Sequence, residues 1–183
     1  MRLAILNAVS ILFEVSILCL LPVSGQNSGG PMSFHLSSTA FSEGQTIAAK
    51  YTCSGTDVSP QLSWNDPPAA TKSFTLIMDD PDAPVGTWVH WVIYNIPANV
   101  RELPEGVEKQ EQAAGALQGR NDFRKFGYGG PCPPPGKPHR YFFKLYALDA
   151  KLELKAGAAK ADLEHAMKNH IVAQTQLMGR FGR

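Results

Sequence analysis

The fold of this chain is decided by SFTLIM (residues 73–78) and WVHWVIYNI (residues 88–96). The first is a short apolar run bounded by turn residues, which is typical of a β-strand buried on both faces. The second is long and rich in aromatic and β-branched residues, which favour strands. Both stretches are therefore predicted to be strands of a β-sheet core.

Outward from these two stretches, Gly and Pro clusters separate further apolar runs, as in a strand-and-turn protein. Further strands are predicted at residues 32–36, 47–51, 62–64, 141–148 and 171–181. Residues 97–119 have no clear period and are predicted to be loop with at most one short strand. One helix is predicted from Ala159 to about Asn169, with an apolar stripe of Leu163, Ala166 and Met167. The prediction is one mainly β, antiparallel domain with a short C-terminal helix.

Length and charge limit the classes of function. A chain of 183 residues is long enough for one domain with a substantial core. The formal net charge is +1 and 18% of the residues are charged, without a basic cluster. Nucleic-acid binding needs a concentrated basic surface, so we expect no nucleic-acid partner.

The first residues predict export. Arg2 precedes a largely apolar stretch that ends in PVSG (22–25), the pattern of a secretory signal peptide covering residues 1–25. Glu14 argues against a permanent membrane span, although an uncleaved anchor helix is the alternative. Residues 26–31 are predicted to be a flexible lead-in, followed by the domain at residues 32–183. The predicted location is periplasmic or secreted, with no membrane span in the mature form.

Removal of the signal peptide would leave two cysteines, Cys53 and Cys132. In an oxidising compartment this pair is expected to form a disulfide. Two separately buried thiols are the alternative, because only the distance between the residues decides whether they can bond.

Three polar clusters accompany the predicted strands. The first, DDPDAP (79–84), places three carboxylates directly after a buried strand. The second, WVHW (88–91), places Trp88 and His90 on one strand face, because alternate residues of a strand point the same way. An imidazole is a natural partner for Asp80 or Asp82. A solvated turn and a structural core histidine are the alternative interpretations.

The third cluster is YGGPCPPPG (128–136), followed by HRY (139–141). Glycines allow backbone amides to approach a ligand, and prolines stiffen the loop. His139 and Tyr141 share one strand face. The cluster is a candidate anion site, and a rigid structural turn is the alternative.

Taken together, the motifs resemble one known family. DDPDAP (79–84), HW (90–91) and GYGGPCPPPGKPHRY (127–141) are similar to the phosphatidylethanolamine-binding protein family, in its bacterial Raf kinase inhibitor-like branch. DVSPQLSW (57–64), NDF (121–123) and YFFKLYALD (141–149) extend the resemblance over nearly the whole predicted domain.

The resemblance implies an antiparallel β-sandwich with a small anion-binding pocket at one end. Its residues would come from all three clusters: Asp80, His90, Gly130, Pro131, His139 and Tyr141. Asp82, Pro84 and Trp88, which flank them, complete the predicted ligand-binding set. The imidazoles, Tyr141 and the Gly130 amide would face the anion, while Asp80 would fix a histidine or meet an ammonium group.

These residues predict a non-enzymatic, exported protein that binds a small anionic or phosphorylated ligand. It would need no cofactor or metal. A further expectation is that it inhibits an exported protein partner. The alternative is a hydrolase that uses Asp80, Asp82, His90 and His139 as a metal or acid–base cluster. Neither HExxH nor Gly-x-Ser-x-Gly occurs in the sequence, which argues against the common hydrolase motifs.

Overall fold

A computed structural model describes residues 33–183 of the chain. The predicted signal peptide and lead-in, residues 1–31, lie outside the described residues. The strands are β1 (His35–Ser37), β2 (Leu62–Asn65), β3 (Ser73–Asp80), β4 (Trp88–Pro97), β5 (Glu102–Leu103), β6 (Gln112–Ala113), β7 (Ala116–Gln118), β8 (His139–Leu148) and β9 (Ile171–Phe181). One α-helix, α1 (Lys160–Met167), and a short 3-10 helix (Ala49–Tyr51) complete the regular structure of this part of the chain.

The strands form two antiparallel sheets. The small sheet has the order β1-β2-β5, and the large sheet has the order β6-β7-β4-β3-β8-β9. The main hydrophobic core joins side chains of both sheets, including Leu36 and Trp64 from the small sheet and Phe74, Trp91 and Phe143 from the large one. This arrangement confirms the predicted mainly β, antiparallel fold.

The other face of the large sheet is covered as well. Ile77, Val92 and Tyr94 form a second apolar cluster with Leu163 and Met167 of α1. Strand β3 lies between β4 and β8, so its two edges are paired and its two faces are covered. All eight residues of β3 are buried, as the unbroken apolar run predicted.

The long strands and the helix are confirmed. Strands β3, β4 and β8 contain the predicted stretches, with β8 beginning two residues earlier at His139. Strand β9 follows the predicted alternation, since its later odd-numbered residues, Leu177, Gly179 and Phe181, are buried. Helix α1 is shorter than predicted at its C-terminal end, where Asn169 has a positive φ of 69° that ends the helix.

The prediction of a strand at residues 47–51 is wrong. Ile47 donates its backbone N–H to Arg180 of β9, which fixes only this end of the segment. The chain then turns, because Tyr51 and Thr52 donate to the carbonyls of Ala48 and Ala49 in the 3-10 helix. The alternation of apolar residues was too short to determine the backbone conformation here.

The expectation of at most one short strand within residues 97–119 is also wrong. This segment contributes three short strands, β5, β6 and β7. None exceeds three residues, which is too short for a period-two pattern to be read from the sequence. Ala114 and Gly115, both with positive φ, form the turn between β6 and β7.

Candidate functional site

Three strand ends meet at one end of the large sheet. Strand β3 ends at Asp80, β4 begins opposite it at Trp88, and β8 begins at His139 on the other side of β3. Because both neighbours run antiparallel to β3, its C-terminal end lies beside their N-terminal ends. The first two clusters and the HRY segment of the third are thereby brought together.

A cavity of about 170 Å³ occupies this end of the sheet. Five of the predicted ligand-binding residues line it: Asp80, Pro84, Trp88, His90 and His139. The other lining residues are Ala83, Val85, Phe123, Cys132, Pro133 and Pro134. We call this space the histidine cavity. It brings together carboxylate, imidazole and indole groups from residues 80 to 139 of the chain.

His90 is held by the loop of the third cluster. Its side chain is almost fully buried, and its Nδ1 lies 2.7 Å from the carbonyl oxygen of Gly129. A carbonyl oxygen can only accept, so Nδ1 donates and Nε2 is the nitrogen available to a ligand. Burial lowers the pKa of His90, although the Gly129 carbonyl and the charge of Asp80 act in the opposite direction.

His139 is held by Asp80. Its Nδ1 lies 2.8 Å from Oδ2 of Asp80, whose residue is only 3% exposed. The other carboxylate oxygen of Asp80 accepts the backbone N–H of Asp82 at 2.8 Å. Asp80 therefore fixes both the imidazole and the turn after β3, and it leaves Nε2 of His139 available, as in His90.

Tyr141 is fully buried and is absent from the lining of the histidine cavity. Its ring packs edge-to-face against that of His90, which does line the cavity, with centroids 5.2 Å apart. The hydroxyl is buried and has no hydrogen-bond partner within residues 33–183. Burial, with the charge of Asp80, raises the pKa of Tyr141. The neutral hydroxyl is therefore a candidate donor to a ligand.

Asp82 is absent from the lining of the histidine cavity. Its carboxylate accepts from Nε and Nη2 of Arg140 at 2.9 and 2.7 Å, and from the backbone N–H of Arg140. These hydrogen bonds lower the pKa of Asp82 to about 2. The structure thus joins Asp82 to the start of β8 rather than to an imidazole.

Gly130 and Pro131 are likewise absent from the lining of the histidine cavity. The Gly130 N–H is already donated to Oδ1 of Asp57 at 2.6 Å, so the amide does not point to a ligand as expected. A Cβ on Gly130 would lie 2.5 Å from the carbonyl oxygen of Tyr51, so the glycine serves close chain packing. The carbonyl of Pro131 accepts the N–H of Cys53.

The two cysteines form a disulfide. The Cα atoms of Cys53 and Cys132 are 5.3 Å apart, as the pairing predicted. Cys132 lines the histidine cavity, so the bond ties one wall of the cavity to the segment after the 3-10 helix.

Phe123 is the main lining residue that the sequence analysis did not propose. Its ring packs edge-to-face against Trp88 and His90, with centroids 5.4 Å from each. It belongs to the NDF motif (121–123), where an aromatic residue among polar neighbours was the available signal. A Cβ on Gly129 would lie 2.7 Å from this ring, so Gly129 makes room for it.

The same part of the chain gives no support to the hydrolase alternative. Within residues 33–183, no three His, Cys, Asp or Glu side chains are placed to hold a metal ion together.

No helix in these residues combines the length and apolar character needed to cross a membrane.

Comparison with known proteins identifies relatives over most of the chain. The family model described as phosphatidylethanolamine-binding protein matches residues 37–182. A UPF0098 protein of Aquifex aeolicus is 49% identical over 158 residues, which cover 85% of this chain and 92% of the relative. A UPF0098 protein of Chlamydia muridarum is 44% identical, covering 80% of this chain and 97% of the relative.

Solved structures agree with this relationship. A phosphatidylethanolamine-binding protein homologue, CT736 of Chlamydia trachomatis, is 42% identical with a TM-score of 0.76. YbcL of E. coli, described as a member of the mammalian PEBP family, is 34% identical with a TM-score of 0.77. Each comparison covers 82% of this chain and 98% of the other. The chain therefore belongs to the phosphatidylethanolamine-binding protein family.

Proposed function

We propose that this protein is an exported, non-enzymatic binding protein for a small anionic or phosphorylated ligand held in the histidine cavity. One observation carries the proposal: the two imidazoles that line the cavity both have Nδ1 engaged, by Gly129 and by Asp80. Each ring therefore keeps Nε2 for a ligand. Protonated imidazoles in this orientation would donate two charge-assisted hydrogen bonds to an anion.

The surroundings suit a binding site of this kind. No group within the described residues accepts a hydrogen bond of normal length from the buried hydroxyl of Tyr141, although the Asp80 carboxylate is near enough to raise its pKa. A buried polar group without a full hydrogen bond costs about 1–3 kcal/mol. A ligand oxygen that accepted from this hydroxyl would remove the cost. The remaining lining is largely apolar, from Trp88, Phe123 and the prolines, which strengthens electrostatic contacts by excluding water.

Export and a protein partner belong to this proposal as predictions. The disulfide between Cys53 and Cys132 is consistent with an oxidising compartment. Inhibition of a protein partner stays a prediction from the family resemblance.

The proposal is tested by calorimetric titration of phosphate into the wild type and His139→Gln. We expect the substitution to weaken binding at least tenfold, because a glutamine cannot become a cation. His170→Gln is the matched control, since His170 also pairs through Nδ1 with a carboxylate at 2.8 Å, that of Asp149, but lies away from the histidine cavity. An equal loss of phosphate affinity in both variants, or no phosphate binding by the wild type, would overturn the proposal.

A further inference from the structure

A second cavity adjoins the histidine cavity. It has a volume of about 240 Å³ and shares two lining residues with the histidine cavity, Phe123 and Cys132. Its other lining residues are Cys53, Asp57, Lys109, Asn121, Lys125, Tyr128, Gly129 and Gly130. We call this space the disulfide cavity. Phe123 and Cys132 therefore lie where the two spaces adjoin.

Most polar groups around the disulfide cavity already have partners inside the protein. The Asp57 carboxylate accepts from the Gly130 amide at 2.6 Å and from the Lys109 ammonium at 2.7 Å. The buried Asn121 side chain donates to the Gly127 carbonyl, and the Tyr128 hydroxyl donates to a backbone carbonyl. Apart from the side chain of Lys125, the surface that the cavity offers a ligand is therefore mainly apolar.

Phe123 provides the apolar surface that is best placed to contact a ligand. Its residue is 37% exposed, one of four large apolar residues exposed to this degree within residues 33–183. The ring is nevertheless fixed, because it packs against Trp88 and His90 on one side and lies over Gly129 on another. An exposed but fixed aromatic ring at the edge of a cavity loses little conformational entropy when a ligand covers it.

Resting on the proposed function, we propose that the ligand is an organic anion with a flat apolar body rather than a bare inorganic ion. Its anionic group would occupy the histidine cavity, and its body would cover Phe123 and enter the disulfide cavity. The adjacency of the two spaces, which share Phe123 and Cys132 as lining residues, carries this assignment. Aromatic rings also prefer edge-to-face or offset contacts with other aromatic rings, which Phe123 can offer.

Two phosphomonoesters provide the test, methyl phosphate and phenyl phosphate, titrated calorimetrically at pH 7. Both carry nearly the same charge at this pH, since the second pKa of a phosphomonoester is about 6. We expect the wild type to bind phenyl phosphate about tenfold more tightly, the magnitude expected when roughly half of a phenyl ring leaves water. In Phe123→Ala the preference for phenyl phosphate over methyl phosphate should fall to about twofold or less.

Two further variants keep the test decisive. Phe126→Ala is the matched control, because Phe126 stacks on Arg120 in the same loop and lines neither cavity. It should retain the full preference for phenyl phosphate. Phe123→Leu keeps apolar bulk beside His90 but removes the flat ring, and should show an intermediate preference.

The outcomes separate this inference from the function on which it rests. If the wild type binds both esters with equal affinity, the inference is overturned and the proposed anion site stands. If Phe123→Ala weakens both esters equally, Phe123 merely supports the histidine cavity and the inference again fails. If neither ester nor inorganic phosphate binds the wild type, the proposed function itself is overturned.

Discussion

Asp79 and Asp80 are adjacent in β3 and both are buried, yet they serve opposite faces of the large sheet. Asp79, fully buried, is paired with two lysine ammonium groups, Lys144 on β8 at 2.8 Å and Lys160 on α1 at 2.6 Å. Asp80 is paired with one imidazole, that of His139. The first carboxylate has two ammonium groups as partners, and the second has a single imidazole.

The difference follows from the alternation of side chains along a strand. On the outer face, Asp79 links β3 to β8 and α1, so its role is structural. Burial lowers the pKa of Lys160, but the hydrogen bond and the charge of Asp79 outweigh this effect. The pKa of Lys160 is therefore above its usual value. On the other face, Asp80 lines the histidine cavity. Two adjacent carboxylates thus have different partners because of the face that each one occupies.

The largest expected effect is on stability, from Asp79→Asn. The substitution leaves two partly buried ammonium groups without their counter-charge, and we expect unfolding free energy to fall by about 2–3 kcal/mol. Phosphate affinity should stay within about twofold, because Asp79 faces away from the cavity. Urea unfolding and calorimetry measure the two quantities. Asp149→Asn, an exposed carboxylate paired with His170, is the control and should change neither. A large loss of affinity in Asp79→Asn would remove the distinction between the two faces.

The converse result is expected for Asp80→Asn. The amide offers one acceptor oxygen to two donors, the N–H of Asp82 and the ring of His139, so one of them loses its partner. We expect phosphate affinity to fall about tenfold while unfolding free energy falls by only about 1 kcal/mol. Unchanged or stronger binding would show that the carboxylate does not position His139 for the ligand.

A smaller effect is expected from pH. Sulfate suits this measurement because its charge is constant between pH 5 and 8. A bound anion favours protonated His90, so affinity should rise several-fold as pH falls, with the increase centred below 6.5 because burial lowers the pKa of His90. His90→Gln should flatten the profile, whereas His170→Gln should not. A wild-type profile that is already flat would count against His90 as a ligand.

The same lowered pKa has a consequence for stability without ligand. A histidine whose pKa is lower in the folded state binds fewer protons than in the unfolded state once the pH falls below about 6.5. The free protein should therefore lose stability as the pH drops through this range, and sulfate should restore part of it. Thermal unfolding at several pH values, with and without sulfate, checks the sign.

The smallest effect is expected at Asp82, which pairs with exposed Arg140. Its pKa is lowered from about 3.8 to about 2, so its contribution is present above pH 3.8 and disappears as the pH falls to 2. Asp82→Asn should therefore lower stability slightly at neutral pH and make no difference near pH 2. Sulfate affinity at neutral pH should be unchanged. Acid titrations of the wild type and of Asp82→Asn, followed by circular dichroism, check this prediction. An equal difference in stability between the two proteins at every pH would contradict the assignment.

The extent to which the site was predictable differs among its parts. His90 with Trp88, and His139 with Tyr141, follow from strand periodicity, because each pair lies two residues apart on a long strand. The backbone of residues 47–51 did not follow from its own pattern, since contacts with β9 and a 3-10 helix set it. Gly130 illustrates the same limit within the site, because its amide partner, Asp57, is 73 residues away.

By itself, the sequence determined the long strands β3, β4, β8 and β9, the faces on which their polar residues lie and the even pair of cysteines. These features depend on local periodicity and composition, and both are written in the order of the residues. Only the tertiary structure decided that Asp82 pairs with Arg140, that the Gly130 amide is occupied, and that Phe123 divides two neighbouring cavities. The physical reason is that these hydrogen bonds and cavities depend on distances between segments that are far apart in the chain. Only the packing of the two sheets and their connecting loops fixes those distances.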